Sequence, residues 1–336
     1  MARLGGDVRI DYYDFPIAPN LRTINVTEAA LDRAAIGVGN LNAFMNGAPS
    51  TVKAIAAQWR TAITRDTVHL AAGEWRRAIE YDSLERTEKG FLSGLLGGVI
   101  GKLVAESVFQ VRQFGHIEYF TPPPRFDRRT RRRPDFLGLP ANSGDPAVVV
   151  ESKGRSNYFG GHSGQVEQAK QQVRSVLSVP GWVAVHRYVQ YTHFNNGVLV
   201  VDLYDPPGPD GSIPVDDAPG KSEPRIDLRS YYRDVVDAAV ALQAPSVELG
   251  GSEYRMITYG LLDIAVGVPE RIYQAILEDR PLLVGSSELA QVNKEDVASQ
   301  SELWWHEVGI VRDSRQVISD VGLDGIAVVG SYPRRG

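Results

Sequence analysis

The chain has 336 residues, with 36 lysines and arginines against 41 aspartates and glutamates, a formal net charge of −5, and 43% hydrophobic content. That is the composition of a globular chain with a sizeable core, and the acidic balance excludes a general polyanion-coating role. There is no cysteine, so disulfides and thiolate chemistry are excluded, which fits a reducing compartment.

The opening stretch, MARLGGDVRIDYYDF, has no apolar run after its arginine and does not read as a signal peptide. Residues 1 to 25 look irregular, with Pro16 and Pro19 marking turns. Thr27 to Gly39 has a helical pattern with Thr27 as its cap. Ser50 to Thr64 and His69 to Asp82 also carry apolar residues at spacings of three and four and are expected to be helices. Trp59 and Trp75 read as core or interface anchors. The next helix, Phe91 to Phe109, contains the longest apolar run, Phe91 to Gly101, about half a membrane span and closed by Lys102 and Glu106. The expectation is a cytoplasmic protein with no membrane segment. Gly97, Gly101 and Ala105 share a stripe where another backbone can approach. A phosphate-loop reading of GLLGGVIGK fails, because Leu96 and Leu103 stand where glycine and Ser/Thr are required. Glu106 is the polar residue of interest on this helix; taken alone it reads as a solvated or salt-bridged glutamate.

Phe109 to Phe120 reads as a strand ended by three prolines, Pro134 to Leu139 as a second, and Ala147 to Ser152 as a third, apolar enough to be central and covered on both faces. The organising stretch is RRRPDFLGLPANSGDPAVVVESKGR, residues 131 to 155. Glu151 and Lys153 are two apart and so point to the same side of a strand. Six arginines (125, 128, 129, 131, 132 and 133) precede Asp135. A solvated loop and a phosphate-binding edge are about equally good readings of that run. A helix from Ser163 to Leu177 follows, apolar at Val166, Ala169, Val173 and Val176, with an adjacent stripe of Gln165, Gln168 and Gln172. His162 beside it reads as capping or solvent-exposed. Trp182 to Phe194 and Gly197 to Tyr204 are strands joined at Asn195-Asn196-Gly197, a hairpin turn signal.

Asp135 before a short strand, Glu151-x-Lys153 at the end of an apolar strand and a glutamine-bearing helix beyond it resemble the PD-(D/E)xK nuclease superfamily, over roughly residues 91 to 204. The resemblance implies a mixed α/β restriction-endonuclease-like core at 91–205, a mixed central sheet flanked by helices. Around it stand a helical N-terminal segment at 1–90, a Pro/Gly-rich loop at 206–225 and a mixed C-terminal accessory region at 226–336. It implies that Asp135 and Glu151, with Glu106, hold Mg²⁺ (Mn²⁺ can substitute), that Lys153 contacts the scissile phosphate or the attacking water, and that Gln168 or Gln165 matches the helix glutamine such families carry. Gln172 stands four residues after Gln168, where the RecB-like and lambda-exonuclease-like members carry tyrosine. Arg128, Arg129, Arg131, Arg132, Arg133, Arg155 and Gln165 are the expected nucleic-acid contacts. The expected activity is phosphodiester cleavage, endonuclease rather than exonuclease and on DNA rather than RNA, with restriction or phage defence as the family's association. A homodimer, or a partner ATPase or helicase, is compatible with it. The rival reading is a catalytically silent nucleic-acid-binding or assembly subunit on the same fold, its Asp/Glu/Lys group a buried ion cluster.

Other chemistries lack support. The histidines (69, 116, 162, 186, 193 and 306) show no HxH or HExxH spacing, and no G-x-S-x-G elbow is present. Asp227 to Leu242 is expected to be a helix, Tyr254 to Val266 a strand or a helix, Pro269 to Leu277 a helix and Leu323 to Val329 a strand, while Trp304-Trp305-His306 reads as a packed anchor.

Overall fold

The N-terminal residues expected to be irregular form two strands. In β1 (Gly5–Tyr13) buried Val8 and Ile10 alternate with more accessible Asp7, Arg9 and Asp11, the period-two signal of a half-buried strand, and β2 (Thr23–Thr27) pairs with it antiparallel. The computed structural model describes residues 5–38, 50–140, 144–182, 184–205, 226–283, 300, 304 and 315–333. The Pro/Gly-rich stretch 206–225 and Trp305-His306 lie outside the described residues.

Helix α1 (Glu28–Val38) starts where expected: the Thr27 hydroxyl accepts from the Ala30 N–H at 3.0 Å. Helix α2 (Ser50–Thr67) follows. His69 to Asp82 is not a helix. It forms the hairpin β3 (Val68–Ala71) and β4 (Glu74–Arg77), then a short helix α3 (Ile79–Ser83). The turn residues Ala72 and Gly73 both have positive φ, 52° and 78°, the geometry of a tight hairpin. Trp75 is buried under the sheet, with its indole N–H donating to the Val26 carbonyl at 3.0 Å. Trp59 stays half exposed against Phe91. Tertiary burial of one indole outweighed local helical spacing.

Next come α4 (Arg86–Phe109), β5 (Val111–His116), a 3-10 turn at Ile117–Tyr119, β6 (Arg125–Phe126), β7 (Phe136–Pro140), β8 (Ala147–Gly154), α5 (Ser163–Arg174), β9 (Val176–Ser178), β10 (Val185–Asn195) and β11 (Val198–Tyr204). The β10–β11 hairpin turns at Asn196 and Gly197, both at positive φ. The fold is mixed α/β. Its main sheet runs β2-β1-β4-β11-β10-β8-β7-β5, with β3 beside β4, and β1–β11 and β10–β8 are parallel within it.

Alternation along β8 sorts its side chains between two helices. Val148 and Val150 join a core with Leu96, Val99 and Ile100 of α4; Val149 joins another with Val166, Ala169 and Val173 of α5. The expected small-residue stripe on α4 is where it meets β8. A Cβ on Gly154 would fall 1.6 Å from the Ser93 carbonyl oxygen, and one on Gly97 3.0 Å from the Gly154 nitrogen. Only glycine permits that approach. Among the described residues α4 is the one helix long and apolar enough to cross a membrane, and most of it is buried here.

C-terminal to residue 225 lie α6 (Arg229–Ala241) and α7 (Glu270–Leu277), with an antiparallel sheet β12-β13-β14-β16-β15. Its strands are β12 (Ser246–Leu249), β13 (Ser252–Tyr259), β14 (Ile264–Pro269), β15 (Arg315–Val321) and β16 (Ala327–Pro333). Tyr254 to Val266 is thus two strands of a hairpin.

Candidate functional site

Register builds the site. Strands β7 and β8 pair antiparallel with Phe136 opposite Val150, so Asp135, one residue before β7, falls opposite Glu151. The Asp135 carboxylate accepts from the Ser152 N–H at 3.1 Å. Glu151 and Lys153 point to the α5 side, and Lys153 Nζ donates to Glu151 Oε1 in a short ion pair. The Glu151 side chain is fully buried while that of Lys153 is 35% exposed. The trio therefore runs from the interior to the surface of one sheet face.

The pairing is incomplete. Glu151 Oε2 is buried with no hydrogen-bond partner, an expensive condition for a carboxylate oxygen. Burial, reinforced by the neighbouring Asp135 charge, outweighs Lys153 and pushes the Glu151 carboxyl up to about 7. Burial also pushes Asp135 up, opposed by Lys153 and the Ser152 N–H. A buried carboxylate beside a half-buried one, with one ammonium for both, carries a deficit of positive charge. A hard divalent cation satisfies this donor set: magnesium takes one or two carboxylates and keeps waters for the rest. Among the described residues no group of three His, Cys, Asp or Glu side chains is placed to hold a metal; Asp135 and Glu151 are the two carboxylates that could take part in holding one here.

Glu106 is elsewhere, a correction to its expected place beside the metal. Arg33 Nη1 and Nη2 donate to its two oxygens at 2.8 and 2.6 Å, and Lys102 Nζ lies at 3.2 Å. The reason is helical geometry. Gly97, which abuts β8, is nine residues earlier on α4, so Glu106 is about 13 Å further along the axis and on the opposite face. The salt-bridged reading describes it.

The glutamine stripe faces the arginines. Arg155 donates to Gln165 Oε1 and lies over the Phe159 and Tyr191 rings at 5.8 and 5.9 Å. With its amide oxygen turned toward the Arg132 guanidinium, Gln168 accepts from Arg132 Nη2 at 3.0 Å. Gln172 donates to the Arg133 carbonyl at 3.2 Å. Arg129 forks onto Asp127 at 2.9 Å and is neutralised by it. Arg128, Arg131, Arg132 and Arg133 are exposed, with Arg133 also stacked 4.5 Å over Phe126. His162 stands exposed at the start of α5 and caps nothing with its side chain.

Two neighbours went unrecognised in the sequence. His116, paired with Phe136 across β5–β7, lies within electrostatic reach of Asp135, and burial lowers its pKa. Tyr191 is registered opposite Lys153 and stacks on Phe159 at 3.8 Å. Neither carries a local motif; only strand register brings them in. Comparison with protein-family models, with curated proteins and with solved structures returns no match to this chain.

Proposed function

We propose that the chain is a Mg²⁺-dependent nuclease of the PD-(D/E)xK type, cutting DNA internally from a restriction-endonuclease-like core. The observation that carries this reading is the buried, partnerless Glu151 Oε2 beside Asp135, with Lys153 on the same strand face. Asp135 and Glu151 would hold the metal, which when bound would neutralise charge on the reacting phosphate and acidify a water. Lys153, at the exposed edge, would donate hydrogen bonds to a phosphate oxygen where negative charge develops. Arg155 and Arg132 present guanidinium groups along α5, with exposed Arg131 adjacent in sequence, where a phosphate backbone passing Lys153 would meet them. Tyr191 and Phe159 pack beneath Arg155 and limit its rotamers. Restriction or phage defence is the setting that the resemblance supports.

The Lys153–Glu151 ion pair favours a second reading, a nucleic-acid-binding subunit whose carboxylate is already neutralised from within. One assay separates the two. Wild type, Asp135→Asn, Glu151→Gln and Lys153→Ala proteins are incubated with linear and covalently closed circular DNA and with RNA, with Mg²⁺, Mn²⁺ or EDTA. The nuclease reading expects metal-dependent opening of the DNA circle by wild type alone. A wild-type protein inert on every substrate, yet binding DNA as well as its three variants do, defeats it.

A further inference from the structure

Arg60 of α2 is buried, 7% exposed. Its Nε and Nη2 donate to the carbonyls of Ala35 and Ile36, at 3.1 and 3.0 Å, near the C-terminal end of α1. That accounts for two of its three nitrogens as a helix-end device. The third, Nη1, is buried and has no hydrogen-bond partner. Arg60 lines a cavity of about 50 Å³ between α2, the 3-10 turn, α6 and β13, walled by Ala57, Tyr119, Ala238 and Tyr259 and by the acidic residues Asp234 and Asp324. At 10–15 Å³ per water, that is room for roughly four waters or one small tetrahedral or planar oxyanion. Burial lowers the pKa of this guanidinium, with Tyr119, Asp234 and Tyr259 opposing. Burial likewise pushes the Tyr259 hydroxyl up to about 12, so it stands ready as a protonated donor.

We propose that this cavity binds a small oxyanion, a phosphate or a carboxylate, through Arg60 Nη1 and the Tyr259 hydroxyl. A buried guanidinium with a bare N–H is costly; Asp234 supplies charge without a hydrogen bond to Nη1, and an oxyanion supplies the acceptor that Nη1 lacks. The tyrosine and alanine walls restrict the guest in size, and the Asp234 charge reaching Arg60 favours a singly charged one. The site is separate from the Asp135–Glu151 pair and stands whether or not that pair cuts DNA.

The test is thermal unfolding and calorimetry of the full chain, titrated with sodium orthophosphate or sodium acetate against sodium chloride at matched ionic strength. At ten times the dissociation constant, the binding anion lowers the unfolding constant about tenfold. A response to phosphate alone, or to acetate alone, assigns the source. Arg60→Gln abolishes the response and Tyr259→Phe weakens it. Because Arg60→Gln also disturbs the end of α1, Ala238→Leu, which fills the cavity and leaves the guanidinium in place, serves as the second variant and also abolishes binding. Absence of a saturable response in wild type overturns the proposal, as does an unchanged affinity in either cavity variant. Loss of the response in Arg132→Ala moves the anion to the surface arginines and overturns it equally.

Discussion

Two clusters of charge lie on opposite faces of the main sheet, one on the α4 face and one on the α5 face, and they are finished differently. On one side Arg33, Lys102, Glu106, Asp320 and Asp324 interlock. Arg33 bonds Glu106 bidentately and Asp320 at 2.5 Å, while Lys102 reaches Asp324 and the Tyr231 hydroxyl at 2.8 and 2.9 Å. Asp324 also accepts from the Ile326 N–H at 3.1 Å. Burial alone would push Asp324 up, but Lys102 and Arg33 outweigh it and hold the carboxyl below its ordinary value. On the other side Asp135 and Glu151 share one lysine, leave an oxygen bare and are both pushed up. A closed network ties the C-terminal sheet to α1 and α4; the open one leaves an acceptor unused, which the proposed metal would engage. How far the hydrogen bonding is completed, rather than the number of charges, separates the two.

The largest expected difference is catalytic. Glu151→Gln lowers metal-dependent cleavage by about 10³-fold or more, roughly 4 kcal/mol of barrier, with no loss of thermal stability, because it removes an under-paired charge. Glu106→Gln protein that remains folded keeps its cleavage rate; a comparable catalytic loss there would erase the distinction between the clusters. Next is stability. Asp324→Ala removes the closest charge partner of buried Lys102, leaving Glu106 shared between Lys102 and Arg33, and costs about 3 kcal/mol in urea unfolding, whereas an effect under about 1 kcal/mol would demote the closed network to surface-like pairing.

The clusters also differ in the sign of their pH dependence. Glu151 binds its proton more tightly folded than unfolded. Its ionisation therefore opposes folding as pH rises from its ordinary value of 4.5 to about 7, by up to about 1.4 kcal/mol per pH unit. Asp324 works in the opposite sense: its contribution is present above its ordinary value of 3.8 and is lost as pH falls through its lower folded value. Melting curves from pH 5 to 7.5 should decline in wild type and flatten in Glu151→Gln, and calorimetry in two buffers near pH 7 should detect proton release on Mg²⁺ binding by wild type only. A decline that survives the substitution assigns the titration to another group. The smallest effect belongs to the arginine edge: Arg131→Ala and Arg132→Ala each reduce the slope of log binding constant against log salt by about one if each meets a phosphate. Arg129, already forked onto Asp127, changes it less.

Local rules read some of this molecule well. The apolar spacing of α4 and α5, the Thr27 cap, the Asn196-Gly197 turn and the shared side of Glu151 and Lys153 all follow from neighbours a few residues apart. Residues 1–25, expected to be irregular, and His69–Asp82, expected to be a helix, are where the reading fails, because β1, β2, β3 and β4 are strands completed by pairing. The partner of β1 is β11, with Arg9 registered opposite Val200, and no local periodicity encodes so distant a partner.

The sequence by itself determined which side of each element a residue occupies, because helical and strand periods are properties of the local chain. Tertiary structure alone decided which elements meet: that Asp135 faces Glu151, that Gln168 turns to Arg132, and that Glu106, two and a half turns from the glycine contact with β8, closes on Arg33. Register and helix placement are settled by burying apolar faces and completing hydrogen bonds across the whole fold, so a correct residue type on a correct helix still reached a different partner.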